Sequence, residues 1–357
     1  MYISNGLKLL LSLLLINISF TAHSQDRVKI IEADHPYIQL YGRVDRSNPK
    51  LPRFWAPGTQ VVTRFSGGDC EIFLNDQVVD GAHSYIEVKV DNIEPVRIQL
   101  RARANRIQIA KDLPGGDHTV IITKNTEAST GYLELVGFIC NSLLPPPPVP
   151  VRKIEFIGDD VTAGRGIDDR FMPCDSAEWF DQSSAYHSYA AITARNLNAQ
   201  LQVTAASEIG VLRTAGEPGG NMPAVYDKLN LHKNTGAWDA KGFQPPVVTV
   251  YLGRNDPLED SLAFTNQYLG FLKQLRAKHP AAQIVAISGS EGNGKEARLN
   301  NYVKAVVAAA ARGGDQRVKH LSLQGTFNKG CNSLPSLEEH ITIGDQVTTF
   351  IKRIMAW

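Results

Sequence analysis

Oxygen-bearing side chains stand where this chain could do chemistry. The apolar run Ile154-Glu155-Phe156-Ile157 ends at Gly158-Asp159-Asp160, and a Gly-Asp turn at a strand end presents the following residue, Asp160, at its tip. Asn255 and Asp256 follow a second apolar run, Val247–Leu252. In a parallel sheet such positions lie beyond the carboxyl ends of the strands, where ligands bind. Two carboxylates at suitable spacing can hydrolyse a glycosidic bond. Asp160 and Glu208, with Asn255 and Asn332 as further oxygen ligands, could instead hold a hard cation. Neither arrangement has a ligand-spacing motif behind it, and no metal or cofactor is expected. Gly292-Asn293-Gly294-Lys295 lacks the spacing of a phosphate-binding loop and reads as a turn before a helix.

The elements that must position these groups fall into two halves. Leu144-Pro145-Pro146-Pro147-Pro148-Val149-Pro150 is held extended, because proline fixes φ and lacks an amide donor, so residues 143–151 read as a semi-rigid linker. Before it, over residues 25–142, short strand-like runs alternate with turn signals. Val61–Phe65 is followed by Ser66-Gly67-Gly68-Asp69, Tyr85–Val90 and Val96–Leu100 alternate with period two, and His118–Thr123 follows Pro114-Gly115-Gly116. This spacing predicts a β-sandwich. After it, over residues 152–357, strand and helix patterns alternate. Strands are expected at Lys153–Ile157, Leu201–Ala205, Val247–Leu252, Gln283–Ser288 and Val318–Leu323. Helices are expected at Ser184–Asn198, Pro223–Leu229, Ser261–His279, Lys295–Arg312 and Leu337–Met355. Such alternation predicts an α/β domain with a parallel sheet covered on both faces.

Four segments in order resemble carbohydrate esterase family two, whose members join an N-terminal jelly roll to an SGNH/GDSL-type hydrolase domain and remove O-acetyl groups from polysaccharides. They are Lys124-Asn125-Thr126-Glu127-Ala128 with Gly131, Arg152–Asp159, Trp238-Asp239 through Gln244-Pro245 to Leu252-Gly253-Arg254-Asn255-Asp256, and Gly330-Cys331-Asn332-Ser333-Leu334-Pro335-Ser336. The resemblance covers nearly the whole chain after its first residues, and the departures fall on the chemistry. It puts Asp160 at the serine nucleophile, Leu334 at the histidine, Asn332 at the aspartate that orients it, and Glu208 at an oxyanion-hole glycine. Asn255, the remaining oxyanion donor, matches. Acyl transfer through serine needs a hydroxyl, an imidazole to take its proton and donors for the oxyanion. The pattern therefore implies a pseudoenzyme that binds polysaccharide or oligosaccharide. An active deacetylase working through other residues, or a structural or protein-interaction module of the cell envelope, are the alternatives. Asp256 also matches and reads as orienting its loop; it and Trp179 are candidate substrate contacts, with Trp55 and Tyr251 as further aromatic candidates. His340 matches a histidine often found on the family's last helix and reads as structural, as does His187.

Composition sets the compartment. Residues 1–24 read as a cleavable leader: Lys8, an apolar core over Leu9–Ile18, and Ala22-His23-Ser24 before Gln25. Of 37 basic and 36 acidic residues, removal of 1–24 takes Lys8 and no acid, so the remainder balances. That excludes electrostatic capture of nucleic acid or anionic membrane as a driving feature and suits a neutral ligand. No later segment is apolar enough to span a bilayer. Cys70, Cys140, Cys174 and Cys331 allow three full pairings, and pairing within each half is the simplest.

Overall fold

A computed structural model describes residues 29–79, 81–170, 172–213, 220–289 and 294–357. The expected leader over 1–24 lies outside the described residues, as do Gly292 and Asn293.

In the C-terminal half five parallel strands form one sheet. In chain order they are Arg152–Gly158, Ala199–Ala205, Val247–Tyr251, Gln283–Ser288 and Val318–Ser322, and in space they run second, first, third, fourth, fifth. Period-two alternation divides their side chains between two cores. Ile157, Val248, Val250, Ile284 and Ala286 face Phe264, Tyr268, Val303 and Val306 from the helices Ser261–Lys278 and Gly294–Arg312. Ile154, Phe156, Val247, Val285 and Ile287 face Tyr189, Ala190, Ile343 and Val347 from the helices Tyr189–Asn196 and Leu337–Met355. With both faces covered, the strands read as continuous apolar runs, which is why they were legible.

Two helix boundaries differ from expectation. The helix expected over Ser184–Asn198 is a 3₁₀ turn at Ala185–His187 and an α-helix at Tyr189–Asn196. Ser188 between them is extended, and its hydroxyl caps the second by accepting from the Ala191 amide. The helix expected over Pro223–Leu229 is one turn, Met222–Val225, because Lys228–Asn230 instead pairs antiparallel with Thr235–Ala237.

The N-terminal half is an antiparallel sheet network of nine strands around its own apolar core. The turn expected at Ser66–Asp69 is absent: one strand runs from Gln60 to Val78. Gly67, at φ +88°, and a register shift between Ser66 and Cys70 absorb the irregularity without ending the strand. Cys70 is disulfide-bonded to Cys140 on the neighbouring strand Gly131–Leu144, and Cys174 to Cys331 within the second half.

A buried polar network joins the halves. Arg43 of the sandwich is fully buried and pairs with Glu155 of the first parallel strand at 3.0 Å. Glu155 also accepts from Thr204 Oγ1 at 2.7 Å and from Tyr226 Oη at 3.0 Å, and His279 Nε2 lies 2.7 Å from that hydroxyl. Burial opposes ionisation of Glu155, but the hydrogen bond with His279 and the Arg43 charge outweigh it and hold the carboxyl down to about 2. Arg43 also donates to the carbonyls of Tyr226 and Lys228. Further up the interface, Asn125 takes the amide of Tyr186 on its side chain, and Lys124, fully buried, donates to Thr126 and Glu127.

Arg43→Met should lower unfolding stability by about 3–5 kcal/mol, the usual cost of stranding one member of a buried pair. Arg43→Met with Glu155→Gln should recover a large part of that loss in urea denaturation. The folded pKa of Glu155 is depressed from 4.5 to about 2, so its contribution is full above about 4.5 and drains as pH falls through about 2. A denaturation midpoint with no extra acid sensitivity relative to Glu155→Gln would contradict this assignment.

Candidate functional site

The sheet order places three strand ends side by side. The first strand lies between the second and the third, and this reversal of direction is where α/β sheets open a crevice. At the end of the first strand the Asp159 side chain accepts from the Val161 amide at 3.2 Å and caps a one-turn helix, Asp160–Ala163, which Gly164 closes at φ +83°. Asp160 is thereby fixed at the first helical position. Ser207–Gly210 leaves the second strand and Asn255 leaves the third, so both loops meet the Asp160 turn.

Three donors converge on the Asp160 carboxylate. Its Oδ2 accepts from the Glu208 amide at 3.0 Å and from Asn255 Nδ2 at 2.8 Å, and its Oδ1 from Arg165 Nη1 at 3.4 Å. Asn255 Nδ2 also donates to the Ile209 carbonyl at 3.1 Å, which fixes the amide's orientation. A backbone amide and a side-chain amide aimed at one oxygen is the arrangement that stabilises an oxyanion in acyl transfer. Here a carboxylate of the chain itself occupies it. The Glu208 amide reaches this position because Glu208 adopts the left-handed conformation, φ +62°, which glycine takes at least cost. Its side chain, 58% exposed, turns to Arg165 at 3.6 Å and does not enter the donor pocket.

Arg165 and Glu127, which sequence reasoning did not single out as site residues, complete the surroundings. The Arg165 guanidinium bridges Asp160 and Glu208 and lies 4.9 Å over the Trp179 ring. Glu127, fully buried and contributed by the sandwich, accepts from the Ser207 amide at 2.6 Å, while its Oε1 has no hydrogen-bond partner. Burial pushes the Glu127 carboxyl up, and the Asp160 charge pushes it further despite the Ser207 hydrogen bonds. Burial, then Asp160, raises Asp159 well above the usual carboxylate range. The signal for Arg165 was its place five residues after Asp160 in Ala163-Gly164-Arg165-Gly166; Glu127 had only its place in the Lys-Asn-Thr-Glu run.

The other expected residues divide. Asp256 is buried, and its carboxylate accepts from the amides of Val211, Leu212 and Arg213 at 2.7–2.8 Å. Both oxygens are spent on the loop, and a Cβ on Gly210 would collide with it. Leu334 is buried in the apolar cluster under the Tyr189 helix and against Gly166. Asn332 is exposed at φ +56°, on a loop pinned by the Cys174 disulfide and by the Cys331 amide to the Gly166 carbonyl. Neither Leu334 nor Asn332 bonds to Asp160 among the described contacts. Trp179 is half-buried, with its face under Arg165. Tyr251 packs edge-on to Tyr189 in the core, and Trp55 lies 4.8 Å from the Tyr132 ring. His340 is fully buried, accepts from the Tyr189 amide at 3.0 Å and is pushed by burial down to about 3. His187 bonds Ser184 at 2.9 Å, and burial followed by the Arg170 charge takes it to about 4. Neither imidazole bonds to Asp160. Beside Asn255 opens a cleft of about 660 Å³ that continues past Pro257 and Leu258 to the start of the helix Gly294–Arg312.

Two family models match the chain: Carbohydrate esterase 2 N-terminal over residues 40–148 and the GDSL-like Lipase/Acylhydrolase family over residues 156–337. Cellulase/esterase CelE from Acetivibrio thermocellus is 30% identical over 91% of this chain, which spans 40% of that protein's length. An acetylxylan esterase / glucomannan deacetylase from Cellvibrio japonicus is 27% identical over 98% of this chain and 100% of its own. A solved family two carbohydrate esterase from Clostridium thermocellum, in complex with cellohexaose, superposes with a TM-score of 0.82 at 30% identity, covering 90% of this chain and 99% of that one.

Asp160→Ala should empty the donor pair without moving it, since Asn255 keeps its bond to Ile209 and Glu208 its backbone conformation. The variant should lose about 1–3 kcal/mol from two stranded donors. Added acetate should restore part of this as it binds, raising the melting temperature of Asp160→Ala in a dose-dependent way and leaving the parent protein unmoved. An equal response in both proteins would mean that the donors are not the acetate site.

Proposed function

The chain belongs to carbohydrate esterase family two, and from that premise we propose that it binds glycan without turning it over. One observation carries the reading: the Asp160 carboxylate sits on the two amide donors that an ester's oxygen would need. Residue 160 supplies no hydroxyl, and residue 334 no imidazole. Loss of the serine nucleophile alone costs about 10⁶ in turnover in a serine protease. Here a charge that repels a developing oxyanion is added to that loss. Ionised carboxylates only accept hydrogen bonds, so Asp160 and Glu208 suit the hydroxyl groups of a sugar better than ester carbonyls. The cleft beside Asn255 supplies room for such a ligand, and the relative crystallised with cellohexaose supports oligosaccharide as its class. Two disulfides support export through the leader read at residues 1–24. The two halves, 25–142 and 152–357, act as one unit in this proposal, because Glu127 of the first holds the loop that carries Glu208.

Purified protein should release no acetate above background from an activated acetyl ester or from acetylated xylan. Asp160→Ser alone should stay inactive, because nucleophile and base act as a unit. Asp160→Ser with Glu208→Gly, Asn332→Asp and Leu334→His should recover measurable turnover. Activity in the parent protein that Asp160→Ala abolishes would sink the proposal. Recovery by Asp160→Ser alone would reveal a base elsewhere.

A further inference from the structure

The cleft beside Asn255 has a charge of its own. Arg213, Lys295 and Arg298 line it, all three are exposed, and none of their side chains forms an ion pair or hydrogen bond with a described residue. Other cations of this half are matched: Arg165 has Asp160 and Glu208 beside the site, and Arg276 has Asp315 at the opposite end of the sheet. Among the described residues the acids lining the cleft are Glu259, which is exposed, and Asp256, whose oxygens are consumed by three backbone amides. Among the described residues, three unmatched cations therefore face one free carboxylate. The helix Gly294–Arg312 begins in the same wall and adds its positive end to the field, with Lys295 and Arg298 in its first turns.

We propose that this cleft selects oligosaccharides that carry anionic groups, carboxylate or sulfate, over their neutral counterparts. The inference rests on the glycan-binding reading above and names the ligand class of that same site. A guanidinium fork pairs two oxygens of a carboxylate or sulfate at once, whereas a neutral hydroxyl offers one oxygen and no opposite charge. Each exposed pair contributes little alone, so the selectivity comes from the three acting on successive charged residues of one chain. It is also screened by salt, because the cleft is open to solvent. Cellohexaose, its C6-carboxylated counterpart and its sulfated counterpart share one backbone and differ in charge, so calorimetric titration with the three isolates this term.

At low salt the carboxylated or the sulfated hexasaccharide should bind at least about tenfold more tightly than cellohexaose. The ratio should fall to about one in Arg213→Gln/Lys295→Gln/Arg298→Gln, whose substituted side chains make no internal bonds, and melting temperature checks that the variant is folded. The comparison of carboxylate with sulfate identifies which anion the cleft prefers. Equal binding of charged and neutral forms, or a preference that survives the triple substitution, overturns this inference and leaves the glycan reading standing. Binding of none of the three overturns both. An oligonucleotide of matched charge that binds as tightly as the charged sugar also overturns it, because the cleft would then be attracting any polyanion.

Discussion

The Asp160 carboxylate is the point on which the site's geometry depends. It ties together the loops that leave three neighbouring strands: its own turn, the Glu208 loop and the Asn255 loop. These loops come from residues that lie 48 and 95 positions away in sequence. Charge then propagates outward from it. Asp159 and Glu127 are both buried beside it and are driven toward their neutral forms by burial and by its proximity. Arg165 lies over it on the outer side and carries the charge to Glu208 and Trp179. One ionised carboxylate is well solvated by amides and a guanidinium; three close together would not be.

The sandwich is part of this arrangement. Glu127 reaches across to hold the Ser207 amide, one residue before Glu208, while Arg43 inserts into the α/β half and pairs with Glu155. A charge buried at an interface is costly unless its partner is fixed. Glu155 is fixed by Thr204 and Tyr226, so the pair specifies one docking of the two halves and thereby the height at which Glu127 meets the site. The joint architecture thus has a local reason: a carboxylate of the first half holds the loop of the second that carries Glu208.

What the sequence made legible follows from the range of the interaction. The parallel strands were readable because both of their faces are buried, so their apolar runs are continuous. Asp160 and Asn255 were readable because each follows such a strand, and Glu208 was placed by the family resemblance. Positions decided by distant contacts were not. The strand Gln60–Val78 continues through Gly67-Gly68, a pair that locally signals a turn, because its pairing with Gly131–Leu144 resumes beyond the bulge at Cys70. Ser188 breaks a helix whose composition is otherwise continuous. Glu127 and Ser207 are 80 residues apart, and no local pattern announces their contact. The balanced total charge suggested a neutral ligand, but a total carries no information about where unmatched cations gather.

On the proposed reading, an aspartate at residue 160 keeps the architecture of the turn without supplying a nucleophile. A serine hydroxyl at the tip of this turn would leave the Glu208 and Asn255 donors free for an incoming oxygen. A carboxylate is one atom pair longer and negatively charged, so it satisfies those donors from within. Glu208 holds the left-handed conformation, where a non-glycine residue costs about 1–2 kcal/mol. The bond from its amide to Asp160 offsets part of that cost. The same contact that fills the donor pair therefore helps to hold its shape.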